Sequence, residues 1–247
     1  MYVALLSACV ASGCASAPKD SMEKKTPAEM AQLYQELGTQ ALMRSDFPQA
    51  VQDLRKSIDV DSQNAIAHNH LGLAYYGLGK KDLAKKEILE SISIDPKYSD
   101  AYINLGKFYD DLGNTKLARE YYEKSLENLE YKMRHRALTN LAQLSIRQNN
   151  LDEARKFLYM ALQSNPEYCI THFLMGTIYT RDGNHRRAAE EFKKSVISTC
   201  TSNIEGHYQL GMAHARNKDF AKARGEFKML VEEYPQSTQA QGAAEQL

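Results

Sequence analysis

The stretch LGLAYYGLGKKDLA, residues 71–84, decides the fold. It opens on the pair Leu71-Gly72 and closes on Ala84, with Gly79 and Asp82 as turn and cap residues between two apolar runs. The same frame returns as Leu37-Gly38 with Ala50, Leu105-Gly106 with Ala118, Leu141-Ala142 with Ala154, Met175-Gly176 with Ala188, and Leu210-Gly211 with Ala223. The small residues of the first column lie 34, 34, 36, 34 and 35 apart. A period of this length marks a solenoid whose units are helical hairpins, each touching only its neighbours.

Turn and cap residues fall where such hairpins need them: Ser45-Asp46, Gly113-Asn114, Asn149-Asn150, Gly183-Asn184 and Asn217-Lys218-Asp219. Asp95-Pro96, Asn165-Pro166 and Tyr234-Pro235 separate successive units, because the residue before a proline is biased away from the helical region. Thr26-Pro27-Ala28-Glu29 is a helix start: Thr26 caps, Pro27 suits the first turn and Glu29 completes a capping box.

These columns resemble the tetratricopeptide repeat. Tyr75, Tyr109 and Tyr179 fill its position 11, and Leu54, Ile88, Tyr122, Leu158, Phe192 and Phe227 fill position 24. Ser57, Ser91, Ser125, Ala161 and Ser195 fill position 27, with Pro96, Pro166 and Pro235 at position 32. The resemblance implies an all-α, right-handed superhelical solenoid of six repeats and about twelve antiparallel helices. The units run 31–64, 65–98, 99–132, 135–168, 169–203 and 204–237, inside a domain spanning 27–240. The fourth unit departs from the pattern at Ala142 and Ser145, so looser packing is expected there.

The chain holds 31 basic and 31 acidic side chains in 247 residues, which removes the electrostatic footprint of a nucleic-acid binder. Its first 17 residues, MYVALLSACVASGCASA, are uncharged and too short an apolar run to span a membrane. They read as the apolar region of a secretory signal over 1–8, followed by a polar tether over 9–26. Leu6-Ser7-Ala8-Cys9 resembles a bacterial lipobox, which makes Cys9 the lipidated residue; Cys14 is the alternative. Acyl chains on this cysteine (palmitate among them) would anchor the protein. Neither Val10 nor Ala15 is the aspartate associated with inner-membrane retention, so the resemblance implies the periplasmic face of the outer membrane.

Six such repeats behind a lipobox look like the type IV pilus secretin pilotin lipoproteins, the PilF/PilW/Tgl family. That resemblance implies an outer-membrane lipoprotein that binds a secretin subunit or segment and assists its localisation and multimerisation. A periplasmic adaptor for envelope proteases, cell-wall enzymes, outer-membrane protein assembly or the Tol system is the alternative.

No HExxH, GxSxG or phosphate-loop pattern occurs, so neither catalysis, a metal, a cofactor nor a small-molecule substrate is expected. His68, His172, His207 and His214 occupy packing columns. Cys169 opens helix A of the fifth unit and Cys200 closes its helix B, which makes them neighbours in an antiparallel hairpin. An oxidising periplasm favours a disulfide; two buried thiols are the alternative.

Helix-A positions 2, 5, 9, 12 and 13 line the concave groove in tetratricopeptide proteins. Here these positions give Ile146, Ile170, Phe173, Tyr208 and Met212, with Arg147, Arg181 and Arg216 in one column and Arg136 nearby. An arginine ladder beside an apolar strip suits a protein segment carrying apolar anchors and carboxylates; an ordinary solvated groove is the alternative. The N-terminal half instead presents Asn69, Tyr76, Asp100, Lys107, Asp110 and Asp111.

Overall fold

The computed structural model describes residues 25–197 and 200–247. The leader and the lipidation candidates Cys9 and Cys14 lie outside them. Six antiparallel hairpins follow one another: α1 (Pro27–Met43) with α2 (Phe47–Val60), α3 (Ala65–Gly77) with α4 (Lys81–Ile94), and α5 (Ser99–Asp111) with α6 (Thr115–Ser125). Then come α7 (Arg134–Arg147) with α8 (Leu151–Ser164), α9 (Cys169–Arg181) with α10 (His185–Lys194), and α11 (Ile204–Arg216) with α12 (Phe220–Glu233). A thirteenth helix, α13 (Thr238–Ala244), ends the described chain, one more than the repeat pattern implies. Ser237 caps it by accepting from the Ala240 amide at 3.0 Å, and its buried Ala240 and Ala243 pack on the last hairpin.

Local chemistry sets the element ends. Thr26 and Glu29 form the expected capping box, with the Thr26 amide donating to Glu29 Oε2 at 2.6 Å. Asn64, Asn114, Asn150, Asn184 and Asn203 cap their helices through side-chain oxygens. Every turn within a hairpin carries one left-handed residue at the same repeat position. Gly79, Gly113 and Gly183 take it at φ of 72°, 75° and 74°, where a Cβ is disfavoured. Ser45, Asn149 and Lys218 adopt it as well.

The helices of a hairpin approach closely enough to exclude a β-carbon. A Cβ built on Gly106 would lie 2.6 Å from the Tyr122 ring, and one on Gly176 would lie 2.7 Å from the Phe192 ring. Ala84, Ala118, Ala154 and Ala188 are fully buried on the facing helices. Repeat four satisfies the same constraint differently. Ala142 is fully buried against Ala154 and Leu158, so the expected looseness is not found. Ser145, standing where tyrosine is usual, makes room for Arg119 from the preceding repeat. Arg119 donates to Glu153 at 3.1 and 2.8 Å and to Ser145 Oγ at 3.3 Å.

Three histidines tie helix A to helix B of their own hairpins. His68 Nδ1 meets Glu87 at 2.7 Å and its Nε2 meets the Ser62 carbonyl at 3.3 Å. His172 repeats this with Glu191 and Pro166, and His207 with Glu226 and Thr201. Both ring nitrogens of each thus face oxygen acceptors; in His68 and His207 this favours the doubly protonated ring. The hydrogen bond that His68 donates to Glu87 raises its pKa above the ordinary value, and the bond to Glu226 does the same for His207.

Two predictions follow from the packing and from these pairs. Gly106→Val should lower unfolding stability by about 1–3 kcal/mol through overpacking, read from urea midpoints. The His68 and His207 pairs should contribute fully below the ordinary histidine pKa of about 6.5, and that contribution should fade as pH rises through the raised folded values. Urea midpoints of the wild type and of the His68→Gln/His207→Gln variant should therefore converge toward pH 9. A gap that widens with pH contradicts this sign.

Candidate functional site

Helix A of each hairpin touches helix A of the next from α1 through α9, so these helices line the inner face of the stack. From repeats two to four that face is occupied by its own side chains. Asn69 accepts from Asn104 at 3.0 Å, and Tyr76 donates to Asp111 at 2.6 Å, with Lys107 bound to the same carboxylate. Burial and Asp111 push the Tyr76 phenol up to about 12, which keeps it a donor. Arg136 pairs with Asp100, which also accepts from Tyr131 at 2.7 Å, and Arg147 pairs with Asp110.

Arg147 of the expected arginine ladder, and Arg136 beside it, are therefore bound to aspartates of the preceding repeat. Arg181 donates to the Ile146 carbonyl at 3.3 Å, and Arg216 is exposed with no ion-pair partner among the described residues. Ile146 is a correction to the sequence reading. It packs with Leu174, Met175 and Ile178 in the core, because its helix position turns toward the next repeat rather than into the groove.

The face changes character after α9. α9 and α11 touch each other less than any of the preceding pairs of successive A helices. Leu210 and Ala213 of α11 pack with Ala188, Phe192 and Val196 around α10. A short α10 and a one-residue insertion before α11 coincide with this change. Between α9 and α11 lies a cavity of about 350 Å³ lined by Cys169, Ile170, Phe173, Cys200, Ser202, Asn203 and Glu205. Ile170 is 50 % exposed, whereas Phe173 is partly buried with its ring 5.6 Å from that of Phe192.

Cys169 and Cys200 are joined as a disulfide, with Cα atoms 6.4 Å apart and a sequence separation of 31. It forms one wall of the cavity and fixes the loop before α11 to the start of α9. Asn203 is committed as the α11 cap, accepting from the Gly206 amide at 3.0 Å and donating to the Ser195 carbonyl at 3.2 Å.

Glu205 divides this cavity from a second one of about 380 Å³, lined by Glu205, Tyr208, Thr238, Gln239, Gln241, Gly242 and Glu245. Gln209 and Gln239 each donate to Glu205 at 2.8 Å. Tyr208 lies against Gly242 of α13, where a Cβ would sit 3.1 Å from the phenol oxygen. Met212 is partly buried in the last core cluster with Phe227 and Leu230. The structure thus brings Ile170 and Phe173 together at the first cavity, sets Tyr208 at the second, and leaves Ile146 and Met212 in packing roles. Sequence reasoning missed Glu205, although it shares groove position 2 with Ile170. It also missed Gln239 and Gly242, which lie beyond the last repeat and had no register to place them. Among the described residues, no group of three or more His, Cys, Asp or Glu side chains is arranged to hold a metal ion.

Tetratricopeptide-repeat models match residues 44–79, 65–98, 99–128, 136–165 and 205–237. The chain is built of tetratricopeptide repeats stacked as a solenoid. It is similar in structure to PilF of Pseudomonas aeruginosa, with TM-score 0.76 and 20 % identity over 90 % of this chain and 100 % of that one. It is similar also to PilW, a widely conserved type IV pilus biogenesis factor, with TM-score 0.73 and 18 % identity over 87 % of this chain and 98 % of that one. YrrB, a tetratricopeptide protein with an unusual peptide-binding site, matches with TM-score 0.53 and 17 % identity over 78 % of this chain and 97 % of that one. No curated protein matches the chain by sequence.

The disulfide makes a direct prediction. Differential alkylation and peptide mass spectrometry of the unreduced folded protein should recover a Cys169–Cys200 linked peptide. The Cys169→Ser/Cys200→Ser variant should lose about 2–4 kcal/mol of stability, as expected for a loop of this size. Rapid labelling of both thiols without reductant contradicts the bond.

Proposed function

We propose that this protein is a non-enzymatic adaptor that holds a segment of a partner protein on its inner face, and that it acts as a pilotin for the type IV pilus secretin. The observation that carries the adaptor reading is the open apolar cavity between α9 and α11, on the face that repeats two to four close with their own side chains. A rigid concave wall with Ile170 and Phe173 presented at its surface suits a chain segment better than a small polar molecule.

The pilotin reading is supported by extent. The similarity in fold runs through the whole of PilF and nearly the whole of PilW and takes in 90 % and 87 % of this chain. It is supported also by Leu6-Ser7-Ala8-Cys9 ahead of the tether. On this reading Cys9 carries the acyl chains, the protein sits on the periplasmic face of the outer membrane, and the secretin is captured before it inserts. A single acyl chain holds a protein only marginally, so a multiply acylated cysteine is required.

Deletion of the gene should abolish secretin multimers and pili, with monomeric secretin remaining. Unchanged multimers rule out the pilotin role; a chaining defect, or a general loss of outer-membrane proteins, points to the broader envelope adaptor. Mass spectrometry of the native membrane protein should find an acylated Cys9 as the first residue, and an intact Met1 defeats the lipoprotein reading.

A further inference from the structure

The charge around the cavity runs opposite to the arginine ladder. Among the described residues, the walls of the two adjoining cavities contain two glutamates, Glu205 and Glu245, and no lysine or arginine. Neither glutamate forms an ion pair among the described residues. Glu205 accepts only from the neutral carboxamides of Gln209 and Gln239, which orient the carboxylate without neutralising it. Arg216, the unpaired cation of α11, lies eleven residues along the helix, roughly 16 Å away.

The N-termini of α9 and α11 oppose this charge, each carrying about half a positive unit. At α11 that end is already met by the Asn203 cap and by Glu205 itself in the first turn. The cavity between Ile170, Phe173 and the disulfide has room for one large side chain, and the disulfide holds its wall in place before any partner arrives.

We infer that this end of the inner face binds a partner segment that seats an apolar side chain between Ile170, Phe173 and the Cys169–Cys200 disulfide, and sets a lysine or arginine beside it against Glu205 and Glu245. The inference rests on the adaptor reading and names the chemistry of its partner. It reverses the carboxylate-bearing partner expected from the arginines, because Arg136 and Arg147 spend their charge on Asp100 and Asp110.

The test uses the full chain and fluorescent twelve-residue peptides with blocked ends. One peptide carries a photoreactive phenylalanine analogue flanked by lysines, a second carries it flanked by glutamates, and a third has the lysines with alanine as anchor. The lysine peptide with the aromatic anchor should bind tightest, weaken as salt rises, and cross-link to the α9 and α11 segments that line the cavity. Glu205→Gln should weaken it roughly five- to tenfold while leaving the glutamate peptide unchanged or tighter. Ile170→Ser should weaken both aromatic peptides about tenfold.

Circular dichroism melts of both variants should match the wild type, since Glu205 is not a core residue and Ile170 is half exposed. Tighter binding of the glutamate peptide, cross-links elsewhere, or indifference to Glu205→Gln overturns the inference. In the first case, with loss on Arg181→Ala or Arg216→Ala, the adaptor reading survives and only the partner chemistry falls. No binding by any peptide, together with unchanged secretin multimers on deletion, removes both.

Discussion

Everything in this structure depends on the distance between the two helices of a hairpin. At Gly38, Gly72, Gly106, Gly176 and Gly211 a single added carbon would come within 2.5–2.7 Å of the bulky residue at position 24 of the facing helix. No ordinary contact is that short, so the pair is an obligatory exchange: no side chain at position 8, and a large one across from it. The arrangement buries Leu54, Ile88, Tyr122, Phe192 and Phe227 almost completely and sets the angle at which each hairpin meets the next. Repeat four carries Ala142 at position 8 and still buries it fully against Ala154 and Leu158.

This constraint explains why the fold was legible and much of the site was not. A β-carbon clash is local in sequence, so Gly72 and Ala84 announce the hairpin wherever they recur. Caps are equally local, which is why Thr26 and Glu29 close as their spacing implies. The Cys169–Cys200 pairing was readable because hairpin geometry places the two ends together. What the repeat register could not show was the relation between successive hairpins. Whether Arg147 faces a partner or Asp110 depends on a contact across 37 residues, and whether Ile146 lines the groove depends on the rotation of α7 against α9. The α13 helix escaped for a different reason: it belongs to no repeat, and its signal is only a serine cap ahead of two buried alanines.

The polar residues of the stack fall into two sets with different work. The His–Glu pairs of repeats two, five and six are intrahairpin ties, each spanning helix A to helix B across the same 19-residue separation. The Asp–Arg pairs and the Tyr76–Asp111 bond run between hairpins along the inner face. Such partly exposed pairs add little stability singly. Their consequence here is to fill the inner face of repeats two to four with satisfied groups, leaving a partner little unpaired charge to meet. Arginine counted by repeat position therefore overstates the positive character of the groove.

The opening at α9 and α11 is where the regular exchange between hairpins relaxes. There α10 is short, the following loop carries an extra residue, and the disulfide ties Cys200, ahead of α11, to the start of α9. A perfectly periodic solenoid would have closed this gap with one more A-helix contact. The weaker packing between α9 and α11 leaves an apolar recess bordered by carboxylates without an ion-pair partner among the described residues. Departures from periodicity are sustained when the surroundings over-determine them, and here a covalent bond does so. The same reasoning separates the two levels of the functional reading: the periodic part of the chain defines the repeat protein and would serve many partners equally well, whereas selectivity has to reside where the period fails, in Ile170, Phe173, Glu205 and the bond between Cys169 and Cys200.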